Sequence, residues 1–102
     1  MLHIRPAVAS DVTTILLFIR ELAEFEKLLH EVQADEQELR RTLFEENNGV
    51  EVMIAERDGE PAGYALFFKS YSTFLARPGI YLEDLYVRPQ FRSHGIGEAL
   101  LK

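Results

Sequence analysis

A chain of 102 residues has room for one domain, and its net charge of −6 argues against non-specific nucleic-acid binding, which depends on neutralising phosphates. Its hydrophobic fraction of 47% and charged fraction of 27% are typical of soluble globular proteins, and the lack of cysteine excludes disulfides and thiolate metal sites. No apolar run reaches the roughly 18 residues of a membrane span, and the N-terminal residues do not resemble a signal peptide. We therefore expect a cytoplasmic protein without a membrane partner.

The first predicted elements are a short strand and a long amphipathic helix. Residues 2–7 alternate in polarity, and the strand ends near Pro6. Asp11 lies in the first turn of the helix, where a negative charge is favourable. The apolar face of the helix follows three- and four-residue spacing and comprises Ile15, Phe18, Ile19, Leu22, Phe25 and Leu29.

A second helix is predicted to begin at Asp35. Asp35 and Glu38 have the spacing of a capping box, and an apolar inner face follows at Leu39, Leu43 and Phe44. We expect residues 47–49 (Asn-Asn-Gly) to end this helix, with Gly49 in a left-handed conformation.

From Val50 onward the polarity alternates every second residue, which is typical of strands. Two strands flank Asp58 and Gly59, a hairpin signal, and a third strand over residues 80–87 precedes a short helix near Ile96. The order strand, two helices, three strands, helix predicts an α+β fold, with a mostly antiparallel sheet and helices packed on it. We expect one domain over residues 1–102.

The last predicted helix has room for only about two turns, near the lower limit for a packed element. A domain in which a ligand loop opens a helix normally continues into a further strand. We therefore expect the domain to be incomplete at its C-terminus, with the later half of the fold absent. We also expect these residues alone not to be a competent catalyst. Either the later half of the fold is present in the protein, or these residues self-associate through an open strand edge.

Two glycines in G-x-G spacing, Gly95 and Gly97, follow the last strand. The P-loop pattern is absent, and Leu100 occupies the third glycine position of the Rossmann fingerprint. The residues alone support two interpretations equally. In the first, the start of the helix binds a phosphate together with Arg88 and Arg92. In the second, it is an ordinary turn flanked by solvated arginines.

Glu83 and Asp84 interrupt an otherwise apolar strand. Strict alternation places Tyr81, Glu83, Leu85 and Val87 on one face, and Leu82, Asp84 and Tyr86 on the other. A buried acid is costly unless it is paired. Two acids in what we expect to be a central strand therefore favour a functional role over a structural one. The three histidines do not have metal-ligand spacing, so we predict no metal site.

The motif R-x-x-G-x-G at residues 92–97, directly after a strand and opening a helix, resembles the coenzyme A pyrophosphate loop of the GCN5-related N-acetyltransferases (GNAT). The segments IRPA, IRELAEFE, YLEDLYV and FRSHGIG resemble in particular the spermidine/spermine (diamine) acetyltransferase branch, in the order of that family's first half. The resemblance spans essentially the whole chain. Ser93 departs from the branch, which usually has glycine there, and Phe25 departs from its usual tyrosine.

The resemblance implies direct transfer of an acetyl group from acetyl-CoA to a small polyamine or diamine, by a homodimer. It implies that Glu83 is the catalytic residue that takes up the amine proton through water. It also implies that Phe25, Glu26 and Glu83 contact the substrate. The implied acetyl-CoA site comprises Leu85, Tyr86, Val87, Arg92, Ser93, His94, Gly95, Ile96, Gly97 and Glu98. The general acid of the family is usually a tyrosine in the later part of the fold.

Two alternatives remain open at this stage. A non-catalytic acyl-CoA-binding or interaction module of the same fold would keep Arg92, Gly95 and Gly97 without using Glu83. An acetyltransferase could instead act on an amino acid or its thia-analogue.

Overall fold

The computed structural model describes residues 1–46, 49–92 and 95–101. Among these residues, four strands and three α-helices follow one another in the predicted order, which confirms the α+β fold class. Their bounds are β1 Leu2–Pro6, α1 Val12–Phe25, α2 Glu36–Arg40, β2 Val50–Arg57, β3 Glu60–Ser72, β4 Arg77–Val87 and α3 Ile96–Leu100. None of these helices is long and apolar enough to cross a membrane.

The chain divides into two compact units. Residues 7–48 contain α1 and α2, whereas residues 1–6 and 49–102 contain the sheet and α3. Within the described part of the second unit, the sheet is antiparallel throughout and has the order β1-β2-β3-β4.

The hairpin between β2 and β3 forms as predicted. Asp58 and Gly59 both have positive φ angles, 53° and 83°, as the two central residues of a type I′ turn require. The flanking residues Arg57 and Glu60 pair across the turn, so this local signal fixes the register at the start of β3.

The core of the sheet unit lies between one face of the sheet and α3. Ile96 and Leu100 of α3 pack with three alanines of β2 and β3, namely Ala55, Ala62 and Ala65. All five side chains are at most 5% exposed. The small alanine side chains leave room for α3 to approach the sheet closely, which places the start of α3 next to the end of β4.

The helical unit differs from the prediction at the end of α1. Lys27 adopts a left-handed conformation with φ 61°, so α1 ends at Phe25, and the predicted face residue Leu29 lies in a separate 3₁₀ turn. A left-handed residue interrupts the helical hydrogen-bond pattern. Apolar spacing alone continued through this break, and the predicted helix was therefore too long.

The second helix begins as predicted, because the Glu38 amide donates to the Asp35 carboxylate at 2.8 Å. It is regular for only five residues and continues as a π-helical segment over Arg41–Glu45. Leu39 is buried, whereas Leu43 and Phe44 are half-buried. Gly49 has the expected left-handed conformation, with φ 79°, and the predicted stop residues Asn47 and Asn48 lie outside the described residues.

Gly63 of β3 is predicted to be intolerant of any side chain. A Cβ there would lie 2.3 Å from the Tyr86 carbonyl oxygen and 3.0 Å from the Val87 Cα. We expect Gly63→Ala to lower the free energy of unfolding by about 1–3 kcal/mol, because the strand backbones must separate. Urea unfolding measures this change. The matched control is Gly79→Ala, whose Cβ would meet only the Ser70 hydroxyl at 3.2 Å. Equal midpoints of urea unfolding for Gly63→Ala and Gly79→Ala would contradict the close approach of β3 to β4 at Gly63.

Candidate functional site

The central feature of the candidate site is a β-bulge in β4. Leu66 of β3 pairs with Asp84, and the next residue, Phe67, pairs with Leu82. Glu83 therefore has no partner on β3 and is the extra residue of the bulge. Bulges bend a strand and redirect its side chains, and they are frequent beside active sites.

The bulge overturns the alternation predicted for this strand. Leu82 lies on the face that α3 covers, where it lines an apolar groove of about 260 Å³ with Met53, Phe67 and Leu100. Asp84 lies on the opposite face, although the prediction placed it with Leu82. Because one residue is inserted, the regular alternation of side chains between the two faces of the sheet is shifted by one position beyond the bulge.

The described strands leave one edge of β4 open, as expected for these residues, and its central position in a longer fold remains a prediction. β4 is the edge strand of the sheet, and Glu83 is exposed while Asp84 is half-buried. The cost of burying an acid therefore gives no argument for a role of Glu83. What distinguishes Glu83 is its unpaired position in the bulge.

A residue that sequence reasoning missed contacts Asp84. The hydroxyl of Tyr64, a fully buried side chain of β3, donates to the Asp84 carboxylate at 2.6 Å. The only signal in the sequence is a tyrosine on an otherwise apolar strand face, where its hydroxyl needs a partner. The acid that satisfies it is 20 residues away, so only the strand register identifies it.

The end of β4 holds the predicted segment Leu85, Tyr86 and Val87. Arg92, after the turn Pro89–Phe91, donates its Nε–H to the Val87 carbonyl oxygen at 2.9 Å. Its guanidinium carbon also lies 6.0 Å from the centre of the Tyr86 ring. Arg92 thus joins the end of β4 to the loop that follows.

The loop after Arg92 leads into α3 through Gly95, which has a left-handed φ of 73°. A Cβ at Gly95 or at Gly97 would meet nothing within 4 Å, so the space beside both backbones is open. The side chain of Ile96 is buried in the core and is not available to a ligand, which limits its predicted contact to backbone atoms. The acidic Glu98 is exposed in the first turn of α3 and can contribute only its amide to an anion. The predicted loop residues Ser93 and His94 lie outside the described residues.

The remaining predicted substrate residues lie in the helical unit. Phe25 ends α1 and is 66% exposed, which is high for an aromatic side chain. Glu26 follows it, and its amide donates to the Leu22 carbonyl oxygen at 3.0 Å while its side chain is exposed. Both side chains are therefore accessible at the C-terminal end of α1.

Comparisons with known proteins agree with one another. The family model described as the acetyltransferase (GNAT) family matches residues 16–102. The thialysine N-epsilon-acetyltransferase of Mus musculus is 44% identical, over 98% of this chain and 63% of that protein. The spermidine/spermine N(1)-acetyltransferase-like protein 1 of Homo sapiens is 32% identical, over 98% of this chain and 15% of that protein.

A solved structure shares the fold. The crystal structure of an aminoglycoside acetyltransferase from an uncultured soil metagenomic sample, in complex with sisomicin, superimposes with a TM-score of 0.78 at 21% identity. The match covers 98% of this chain and 64% of that chain. The chain described here thus spans less than two thirds of the length of the mouse relative and of this structure.

Proposed function

Because this chain belongs to the acetyltransferase (GNAT) family, as its sequence motifs predicted, we propose that it transfers an acetyl group from acetyl-CoA directly to a primary amine of a small substrate. The observation that carries this proposal is the bulge in β4. It exposes a carboxylate, Glu83, four residues before β4 ends at Val87, the residue whose carbonyl oxygen accepts a hydrogen bond from Arg92.

The reaction requires a group that removes a proton from the substrate. A primary amine with a pKa near 10 is protonated at neutral pH, and removing its proton costs about 4 kcal/mol at about 1.36 kcal/mol per unit. The exposed carboxylate of Glu83 attracts the ammonium group and accepts its proton, directly or through water. The amine nitrogen would then attack the thioester carbonyl carbon and form the C–N bond. As the C–S bond breaks, the nitrogen would lose its second proton and the coenzyme A thiolate would gain one, which gives the amide and free coenzyme A.

The described residues fit acetyl-CoA at the end of β4 and in the loop after it. An edge strand presents backbone groups away from its partner, which suits hydrogen bonds from Leu85, Tyr86 and Val87 to the pantetheine arm. The guanidinium group of Arg92, which is hydrogen-bonded to Val87 at the end of β4, supplies charge-assisted donors for a phosphate. The open space at Gly95 and Gly97 lets a pyrophosphate approach their backbone.

The substrate is a small molecule whose primary amine ends an aliphatic chain. The predicted polyamine or diamine fits the exposed acid Glu83, which attracts an ammonium group, and the contacts of the substrate with Phe25 and Glu26 remain predictions. A second candidate is an amino acid with a side-chain amine, because the mouse relative is named for thialysine. A homodimer and a cytoplasmic location remain predictions.

An amine panel on the protein tests the proposal. Calorimetry measures binding of acetyl-CoA, and release of free coenzyme A thiol measures turnover with spermidine, spermine, a diamine, thialysine, lysine and ornithine. Turnover with one class identifies the substrate. Binding of acetyl-CoA without turnover of any amine favours the non-catalytic module, and an absence of binding contradicts the proposed coenzyme site.

We expect Arg92→Ala to weaken acetyl-CoA binding roughly 10- to 100-fold, because it removes charge-assisted donors to phosphate. Calorimetry measures the dissociation constant. The control is Arg77→Ala, which removes the same charge from an exposed position at the start of β4 and should change the constant about twofold or less. An equal effect of the two substitutions would show that only net charge matters.

We expect Gly95→Ala to weaken acetyl-CoA binding more than it weakens folding. The methyl group enters the open space beside the backbone, and alanine is strained in a left-handed conformation by about 1–2 kcal/mol. Gly49→Ala introduces the same strain at φ 79°, away from the loop, and is the matched control. Affinity losses of equal size in the two variants would exclude a ligand beside Gly95.

We expect Glu83→Gln to lower kcat about 100-fold or more while the affinity for acetyl-CoA stays nearly constant, because glutamine cannot accept the proton. Steady-state kinetics across pH provides the measurement. Glu60→Gln makes the same change at an exposed position at the start of β3 and should preserve turnover. A variant with the kcat and pH profile of the parent would remove Glu83 from the mechanism.

A further inference from the structure

Tyr64 is a buried residue whose hydroxyl reaches the candidate site. Its side chain is 0% exposed and is the largest of the fully buried side chains among the described residues. A buried phenol is costly unless its hydroxyl is hydrogen-bonded, and this hydroxyl donates to the Asp84 carboxylate at 2.6 Å. A phenylalanine would fill the same space in the core, so the hydroxyl adds a directional contact with β4.

The contact is formed diagonally across the two strands and lies directly beside the bulge. Tyr64 pairs with Tyr86 and Asp84 pairs with Leu66, so Tyr64 and Asp84 share one face of the sheet. Asp84 is the residue immediately after Glu83. Because Glu83 has no partner on β3, its position depends on the residues that flank it.

A second contact holds the other side of the bulge. Tyr81, two residues before Glu83, stacks on Phe68 of β3 with ring centres 5.0 Å apart and an interplanar angle of 29°. Aromatic pairs of this kind stabilise neighbouring strands. Among the described residues, an aromatic contact therefore lies before Glu83 in β4, and a hydrogen bond is formed by Asp84, the residue directly after it.

We propose that Tyr64 is a positioning residue, which orients the Asp84 carboxylate and thereby fixes the bulge that presents Glu83. A hydrogen bond from a hydroxyl to an ionised carboxylate is stronger and more directional than one between neutral groups. The effect of Tyr64 on catalysis rests on the proposed function of Glu83, whereas its effect on the bulge does not.

The structural part is tested without any substrate. Amide hydrogen exchange is measured by NMR in Tyr64→Phe, with Tyr71→Phe as the control, which removes a hydroxyl from an exposed position on the same strand. We expect the amides of residues 82–86 that bond to β3 to exchange roughly 10- to 100-fold faster in Tyr64→Phe, with the amides of β2 unchanged. Exchange in residues 82–86 that matches the Tyr71→Phe control would overturn the proposal.

The catalytic part is tested by measuring kcat with the most active amine of the panel, both in the parent protein and in the Glu83→Gln variant. We expect Tyr64→Phe to lower kcat about tenfold or more in the parent, with the KM for acetyl-CoA unchanged. In the Glu83→Gln background the same substitution should change kcat about twofold or less, because Tyr64 acts through Glu83. An equal fold-loss in both backgrounds would overturn this part, since a merely structural role affects them alike.

The variant Asp84→Ala and its combination with Tyr64→Phe test whether the two residues act through one shared contact. Asp84→Ala removes the acceptor, so it should reproduce the faster exchange of Tyr64→Phe, and the double variant should be no faster than either. Additive effects would contradict a shared contact.

If the parent acetylates no amine, the proposed function fails, and the exchange measurement still decides whether Tyr64 fixes the bulge.

Discussion

The pairing of β3 with β4 is the constraint on which the candidate site depends. Tight approach of the two strands at Gly63 fixes the register at the end of β4, and the shift between Leu66 and Phe67 then leaves Glu83 unpaired. A carboxylate in a regular strand would have a neighbour directly opposite it on β3. The inserted residue instead leaves Glu83 exposed in an edge strand, beside the backbone groups that follow at the strand end.

Acidic and basic residues lie near one another in the sequence at the end of β4. Glu83 and Asp84 carry negative charge within β4, and Arg92 carries positive charge after it, in a protein with a net charge of −6. In the proposed function, a cationic amine would be attracted to the acids and the phosphates of acetyl-CoA to Arg92. The hydrogen bond from Arg92 to Val87 keeps the basic loop close to the strand end that lies between them.

Local sequence signals predicted the order of elements and several turns. Asp58 and Gly59 specify their hairpin, Asp35 caps α2 and Gly49 adopts its left-handed conformation, because each depends on the chemistry of a few adjacent residues. The bulge and the contact between Tyr64 and Asp84 depend on strand pairing over about 20 residues. Periodicity could not predict them, although two adjacent acids in an apolar strand were a sign that the alternation is broken there.

The most direct test of the account is a crystal structure of the protein with a bisubstrate analogue, in which coenzyme A is linked to the amine through its acetyl group. We predict that the Glu83 carboxylate lies within hydrogen-bond distance of the amine nitrogen, or is joined to it by one water molecule, while the pyrophosphate contacts Arg92 and the backbone at Gly95. A structure in which the amine nitrogen lies away from the bulge, with Glu83 directed into bulk solvent, would contradict it.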